Sequence, residues 1–294
     1  MLSTGASNDP DERSASADRR QRVTGKMPSI DLNCDMGEGM ETDAAIFPFI
    51  SSANIACGYH AGDANTMRRT VELALQHRVA IGAHPSYPDR DHFGRIDLLD
   101  TTLSPEEIPG MVVDQLILLQ AICDEFGVRL HHVKPHGALY NRAAKDAVIS
   151  ALICRAIREF DPSLLLYGLS GSQLKREADR HELAFVSEVF ADRTYREDGS
   201  LTPRTEPDAL IEDPEQAARQ VLKMVGEGKV SISSGHAANK PAEDASSQNL
   251  REIPLLAETI CLHGDGSHAI QFARLIYTTL SEKEIVIRAP ARPF

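Results

Sequence analysis

The chain has 294 residues and a formal net charge of −12, from 31 Lys and Arg against 43 Asp and Glu. This acidic balance argues against a nucleic-acid partner and against an anionic membrane surface, because both attract basic faces. We also expect no membrane span, since no run approaches the roughly 18 apolar residues that a spanning helix needs. The five cysteines are scattered and form no C-x-x-C pair, which predicts a reduced, cytoplasmic protein.

Residues 1–28 predict a disordered N-terminal tail. They are rich in Ser, Ala, Asp and Arg and contain almost no large apolar residue, so they cannot bury enough surface to offset the entropy of ordering. They also lack the apolar core of a signal peptide. Residues 29–294 are therefore expected to form a single domain.

From Pro28 onward, short apolar runs alternate with stretches of helical periodicity. Seven runs predict strands: Ser29–Cys34, Asn54–Cys57, Val79–Ala83, Leu130–Val133, Leu164–Gly168, Ala184–Glu188 and Thr259–Leu262. The predicted helices are Thr66–Gln76, Pro105–Phe126, Ala143–Glu159, Pro214–Gly226 and His268–Leu280. This alternation indicates a parallel sheet, because parallel neighbours need crossover connections. Periodicity leaves open whether the sheet is doubly wound or closed into a barrel. The long polar connection Ser233–Glu252 is a candidate mobile loop or lid.

Ionisable side chains cluster directly after the apolar runs. They are Asp35, Glu38, His60, Asp63, His84, Lys134, His136, Asp192, Arg193, His263 and Asp265. Because the carboxyl ends of parallel strands lie on one face of a sheet or barrel, these distant segments are expected to converge on one site.

Each of these residues also has a structural interpretation. Asp63 precedes a predicted helix and fits an N-cap better than a catalyst. His131 and His132 lie in a strand, where one side chain points inward and the other outward, so both are expected to be structural. For any single post-strand histidine the two interpretations are about equally good. Four such histidines on one face favour a functional pocket.

Several common motifs are absent from the sequence. Gly226-Glu227-Gly228-Lys229 is followed by Val230 and does not complete a P-loop. There is no G-x-S-x-G elbow and no H-E-x-x-H helix. ATP binding by a standard P-loop is therefore not supported by this chain.

Six longer segments resemble the LamB/YcsF family, which is the family of the 5-oxoprolinase A subunits. They are Ile30–Glu38, Ser52–Asp63, Ile81–Asp89, His132–Asn141, Glu188–Arg193 and Cys261–Asp265. They occur in the family's order and span nearly the whole predicted domain. The resemblance implies an irregular, seven-stranded β/α barrel similar to the glycoside hydrolase and deacetylase barrels, formed by residues 29–294.

The resemblance also implies an activity and partners. The activity is ATP-dependent opening of the lactam of 5-oxo-L-proline to L-glutamate, with release of ADP and phosphate. The chain would be the A subunit of a complex with two partner subunits, B and C, and a homo-oligomer is compatible with this arrangement. The implied cofactor is ATP, and Mg²⁺ would accompany it.

The chemistry of lactam opening suggests roles for the clustered residues. It needs a base, a proton donor and groups that hold phosphate and carboxylate. We expect the catalytic set to be Asp35, Glu38, His84, Lys134 and His136. The expected substrate- and phosphate-binding set is Asn33, His60, Asp192, Arg193, His263 and Asp265. One carboxylate and two imidazoles can bind a divalent metal, and the expected ligands are Asp35, His60 and His136.

Two other functions remain open from the sequence. One is a stand-alone, metal-dependent deacetylase or amidohydrolase that needs no ATP. The other is a non-catalytic scaffold that organises partner subunits. A scaffold has no physical need for converging His, Asp and Lys side chains, so it is the weakest of the three.

Overall fold

The structure is a computed structural model that describes residues 28–232, 251–262 and 269–293. Residues 1–27 of the predicted tail, most of the predicted lid and the site candidates His263 and Asp265 lie outside the described residues. In the part of the chain that is described, no helix combines the length and the apolar character that crossing a membrane requires.

Parallel strands close into a barrel, which confirms the predicted fold. The strands are β1 (Ser29–Met36), β2 (Ser52–Ala56), β3 (Ala80–His84), β4 (His132–Val133), β5 (Leu165–Leu169), β6 (Phe185–Phe190), β7 (Lys229–Ser231), β8 (Glu252–Pro254), β9 (Thr259–Leu262) and β10 (Val286–Ile287). Neighbours follow the order β1 to β6 and then β9, which pairs back onto β1 and completes a ring of seven strands. β10 pairs in parallel with the amino end of β1, and β7 pairs with β8 as a separate antiparallel ribbon.

Helices follow most of the strands. They are α1 (Asp43–Ile46), α2 (Ala64–His77), α3 (Ile108–Glu125), α4 (Gly137–Ala143), α5 (Ala147–Phe160), α6 (Gln173–Arg180), α7 (Pro214–Glu227) and α8 (Ala269–Glu282). The predicted cap is confirmed, since Asp63 Oδ1 accepts from Thr66 N over 2.8 Å. The prediction of one helix over Ala143–Glu159 is wrong at its start, because Asp146 caps α5 by accepting from Val148 N and Ile149 N.

β1 places a row of polar side chains inside the barrel. Along β1, the side chains of Asp31, Asn33 and Asp35 alternate with apolar ones that belong to the hydrophobic core. Asp31 accepts from Ser52 and Thr259, and these bonds place a hydrogen-bonded layer beneath the polar side chains that follow along β1. Burial raises the pKa of Asp31 above its usual range, although these hydrogen bonds oppose the shift.

A glycine on β3 leaves room for a histidine inside the barrel. Gly82 pairs with His132 on β4, and a Cβ atom at Gly82 would lie 2.1 Å from His132 Nε2. That nitrogen donates to Asn54 Oδ1 over 2.8 Å. The predicted structural role of His132 is confirmed, because its side chain is fully buried in this contact.

Gly82→Ala is expected to lower the free energy of unfolding by about 2–3 kcal/mol, because the new methyl group overlaps a buried ring that cannot move freely. Urea denaturation measures the change. Gly110→Ala is the matched control, since an added Cβ there meets no atom within 4 Å and lies in α3. Its stability should be equal to that of the wild type or higher by about 1 kcal/mol. Equal stability of Gly82→Ala and the wild type would contradict the account of the barrel interior.

Candidate functional site

A cavity of about 490 Å³ opens at the carboxyl ends of the barrel strands. It is lined by six of the side chains predicted from the sequence: Asp35, Glu38, His84, Lys134, His136 and Arg193. His60 lies beside them, with Nε2 3.1 Å from Glu38 Oε1. The convergence of post-strand residues on one site is therefore a feature of the folded chain.

Lys134 lies at the floor of the cavity, together with Asp35, Glu38, His84 and His136. Its Nζ lies 2.9 Å from Asp35 Oδ1 on β1 and 2.9 Å from Glu188 Oε1 on β6. It also donates to Asn33 Oδ1 over 3.2 Å and to Cys261 Sγ over 3.1 Å. These contacts hold the ammonium group of Lys134, which follows β4, against the three neighbouring strands β6, β9 and β1 across the barrel.

Charge pairing keeps these groups ionised in spite of their burial. Burial opposes the charged form of Lys134, but the surrounding carboxylates, Asp35 foremost, raise its pKa well above the usual value. Burial also opposes the charged form of Asp35, yet His84 and Lys134 hold the pKa of this carboxyl well below its usual range. Asp35 is therefore a carboxylate and Lys134 an ammonium ion at neutral pH.

Asn33 and Asp192 do not reach this cavity among the described residues. Asn33 lies below the floor, where its Nδ2 donates to Glu188 Oε1 over 2.9 Å and to Thr259 Oγ1 over 2.8 Å. Arg193 lines the cavity, but its guanidinium also donates to the carbonyl oxygens of Thr202 and Ala209. Asn33 thus supports the floor, and Arg193 fastens the connection that follows β6.

The protein fixes the hydrogen positions on two histidines. His84 Nδ1 lies 2.7 Å from the carbonyl oxygen of Lys134, and His136 Nε2 lies 2.9 Å from that of Phe93. A carbonyl oxygen can only accept, so both ring nitrogens carry the hydrogen. In the neutral rings the remaining nitrogens, His84 Nε2 and His136 Nδ1, therefore bear lone pairs.

The same argument applies to His60. Ser86 Oγ donates to the carbonyl oxygen of Tyr87 over 2.8 Å, so it accepts from His60 Nδ1 at 2.9 Å. Burial, with a smaller contribution from His84, lowers the pKa of His60 to about 3. Burial, again with His84, lowers the pKa of His136 to about 2. Both rings are neutral at physiological pH, and His60 Nε2 bears a lone pair.

These lone pairs converge on one point. His84 Nε2 and His136 Nδ1 are 2.9 Å apart, and the ligand atoms of Glu38, His60, His84 and His136 all lie within 4.8 Å of one another. Two facing lone pairs repel unless a positive charge lies near them. A proton on His84 relieves one such contact, whereas a metal ion satisfies three nitrogens and a carboxylate together. This four-residue cluster, called the His₃Glu cluster below, therefore fits a divalent metal.

This geometry places two of the three predicted metal ligands in the cluster and the third beside it. His60 and His136 belong to the His₃Glu cluster. Asp35 lies beside it, with Oδ2 3.2 Å from His84 Nε2, while its Oδ1 accepts from Asn54 and Lys134. Glu38 supplies the carboxylate of the cluster.

Close backbone packing positions His136. Gly137, the next residue, has a φ of +53°, and a Cβ atom there would lie 2.4 Å from the carbonyl oxygen of Gly94. The same carbonyl oxygen accepts from Ala138 N over 2.9 Å. The start of α4 is thus fixed against the 93–95 segment, which also supplies the Phe93 oxygen that orients His136.

Cations surround the mouth of the cavity. Arg95, Lys145 and Arg204 are exposed and line it, in addition to Arg193. Sequence reasoning missed these three because they lie on loops and not directly after strands. It also missed Tyr140 and Glu188, although the placement of a charged residue in the apolar run of β6 marks Glu188 as unusual.

The chain matches known proteins over most of its length. The LamB/YcsF family profile matches residues 30–293. A protein of Bacillus cereus (strain Q1), named as the A subunit of 5-oxoprolinase, is 47% identical over 270 residues, which cover 90% of this chain and 100% of the relative. A protein of the same name from Tolumonas auensis is 47% identical over 268 residues, with the same coverage. The crystal structure of a lactam utilization protein from Thermus thermophilus superposes with a TM-score of 0.78 at 39% identity, covering 89% of this chain and 100% of that one.

Lys134→Met is expected to lower the free energy of unfolding by about 3–5 kcal/mol, because it leaves the buried Asp35 and Glu188 carboxylates without their cation. The double variant Lys134→Met/Glu188→Gln should recover part of that loss. Chemical denaturation measures both effects.

The control for this prediction is Lys175→Met. Lys175 forms an exposed pair with Asp179 on α6, so its removal should change stability by less than about 1 kcal/mol. A Lys134→Met protein no less stable than this control would refute the claim that Lys134 holds the floor together.

Proposed function

The chain belongs to the LamB/YcsF family, and on that premise we propose that it is the A subunit of an ATP-dependent 5-oxoprolinase. The reaction opens the lactam of 5-oxo-L-proline to L-glutamate while ATP is cleaved to ADP and phosphate. The names of the relatives from Bacillus cereus and Tolumonas auensis support this assignment. Two partner subunits, B and C, and a cytoplasmic location are parts of the same proposal.

The observation that carries the proposal is the distribution of charge in the cavity. Cations line its mouth, while the carboxylates of Asp35 and Glu38 lie with His84 and His136 at its floor. 5-Oxoproline is an anion with a cyclic amide, and a nucleotide is also anionic. The cations Arg95, Lys145 and Arg204 are suited to bind a carboxylate or phosphates, even though the chain as a whole is acidic.

The chemistry of lactam opening indicates how the floor residues act on the amide. A five-membered lactam is an unstrained amide, and transfer of a phosphoryl group to its oxygen makes the carbon a better electrophile. Water then adds to that carbon, and the C–N bond breaks as the ring nitrogen takes a proton, which leaves an acyl phosphate. A second water molecule hydrolyses the acyl phosphate to the carboxylate of glutamate and free phosphate. Asp35, which lies outside the His₃Glu cluster, takes the proton from water, and His84 moves a proton to the nitrogen when no metal occupies its Nε2. Lys134 holds Asp35 in the charged form that a base requires.

A divalent metal is the second part of the proposal. Glu38, His60, His84 and His136 would hold it, because their ligand atoms already converge and their outer ring nitrogens are bonded to the protein. A metal there would supply Lewis acidity beside the reacting amide. Three imidazoles and one carboxylate favour a transition metal over Mg²⁺.

The His₃Glu cluster also favours a second candidate function. A stand-alone, metal-dependent amidohydrolase would use the same cluster without ATP. The two candidates differ in one requirement, the dependence of amide hydrolysis on ATP and on the partner subunits.

Protein purified without added metal should contain close to one equivalent of a transition metal when measured by elemental mass spectrometry. His136→Asn should reduce this content at least about tenfold, because it removes one ligand of the cluster. His92→Asn is the control, since His92 has an exposed side chain and pairs with Asp89 away from the cluster. Wild-type protein that stays free of metal after dialysis against zinc, manganese or iron(II) would rule the metal out.

Glutamate release from 5-oxoproline should require ATP, this chain and both partner subunits. Asp35→Asn and His84→Gln should each lower kcat at least about 100-fold in the assembled complex, because each removes a group from the floor. Lys175→Met, whose residue lies on α6, should leave kcat unchanged. Amide hydrolysis by this chain without ATP would support the amidohydrolase instead. Full activity of both floor variants would support a scaffold.

A further inference from the structure

Two buried polar atoms beside the floor have no hydrogen-bond partner among the described residues. They are the hydroxyl of Tyr140 on α4 and Oε2 of Glu188 on β6. Tyr140 is 5% exposed and lines the cavity, whereas Glu188 is fully buried. Buried polar atoms are nearly always paired, and Tyr140 and Glu188 lie close enough to interact with each other, so the phenol can supply the donor that Glu188 Oε2 lacks.

The carboxylate of Glu188 cannot turn to satisfy itself. Its other oxygen, Oε1, is held by Lys134 Nζ and by Asn33 Nδ2, each at 2.9 Å. The direction of Oε2 is therefore fixed. The nearby donor is the phenol of Tyr140, whose ring is held edge-on against Phe190 with centroids 5.9 Å apart.

The hydroxyl of Tyr140 keeps its hydrogen. Burial, together with the neighbouring charge of Glu188, raises the pKa of Tyr140 well above its usual value. A hydroxyl next to a carboxylate directs its hydrogen towards that carboxylate. The lone pairs of the phenol oxygen are then left for a group in the cavity, and they can only accept a hydrogen bond.

We propose that Tyr140 contacts the substrate directly: its hydroxyl donates to Glu188 Oε2, and its oxygen accepts a hydrogen bond from the ring N–H of the bound lactam. This inference rests on the proposed function, because the lactam is the substrate assigned there. It makes Tyr140 a determinant of specificity for cyclic amides. A ring ketone or lactone of the same shape has no N–H and leaves the phenol oxygen unpaired.

The test compares 5-oxoproline with 3-oxocyclopentane-1-carboxylate, a carbocycle of the same shape with a methylene group in place of the N–H. The assembled enzyme is used, with KM measured for the lactam and the inhibition constant for the carbocycle. Tyr140→Phe should raise KM for 5-oxoproline about tenfold and leave the inhibition constant of the carbocycle unchanged within about twofold, because only the lactam loses a hydrogen bond.

Glu188→Gln tests the orienting contact through the same selectivity between the two compounds. It should reduce selectivity, and the double variant Tyr140→Phe/Glu188→Gln should reduce it no further than Tyr140→Phe does. Additive losses would overturn the role of Glu188. Tyr167→Phe is the matched control, since it removes another buried phenol hydroxyl, one that lies near Ser52 inside the barrel. It should leave selectivity unchanged.

Two outcomes would overturn the role of Tyr140 while the proposed function stands. One is an unchanged KM for 5-oxoproline in Tyr140→Phe. The other is an equal rise for both compounds, which is what a role in shaping the wall produces. If the wild-type complex releases no glutamate at all, the proposed function fails, and the role of Tyr140 fails with it.

Discussion

The site depends on one buried ammonium group. Lys134 joins Asp35 on β1 to Glu188 on β6, and it does so inside a barrel where unpaired charges are strongly unfavourable. Its position keeps Asp35 ionised beside His84 and fixes the direction of the free oxygen of Glu188 towards Tyr140. The catalytic floor and the proposed specificity contact therefore share one support, so a change at Lys134 affects both.

Beneath that support, the barrel is filled by hydrogen-bonded side chains in place of the usual branched aliphatic layers. Asp31 and its hydroxyl partners form the lower layer, and Asn33 and Asn54 form the next, bonded to each other over 2.7 Å. Such a network is stable only when nearly every member is satisfied, so it holds the side chains above it in one arrangement. The ligand atoms of the His₃Glu cluster are thus held close together before any ligand binds, as electrostatic preorganisation requires.

The position of polar residues after strands was sufficient to predict the site in outline. This pattern predicted that Asp35, His84 and Lys134 lie together, because the carboxyl ends of parallel strands share a face. It could not show which ring nitrogen of each histidine carries a hydrogen, since this depends on carbonyl groups such as Phe93 O from another loop. The sequence did not predict Lys145 and Arg204 at the mouth of the cavity. The folding of the connections, and not the order of the strands, brings them there. The closure of the sheet depended on β9 pairing with β1, a contact that periodicity does not encode.

A crystal structure of this chain with 5-oxoproline tests the central claim most directly, because it shows where the lactam binds without relying on turnover. The account predicts that the lactam lies in the cavity at the carboxyl ends of the strands, with its carbonyl group next to the His₃Glu cluster and its ring nitrogen facing Tyr140. Its carboxylate should point to the cations at the mouth. Density for the lactam at another surface, with this cavity holding only solvent at saturating ligand, would contradict the account.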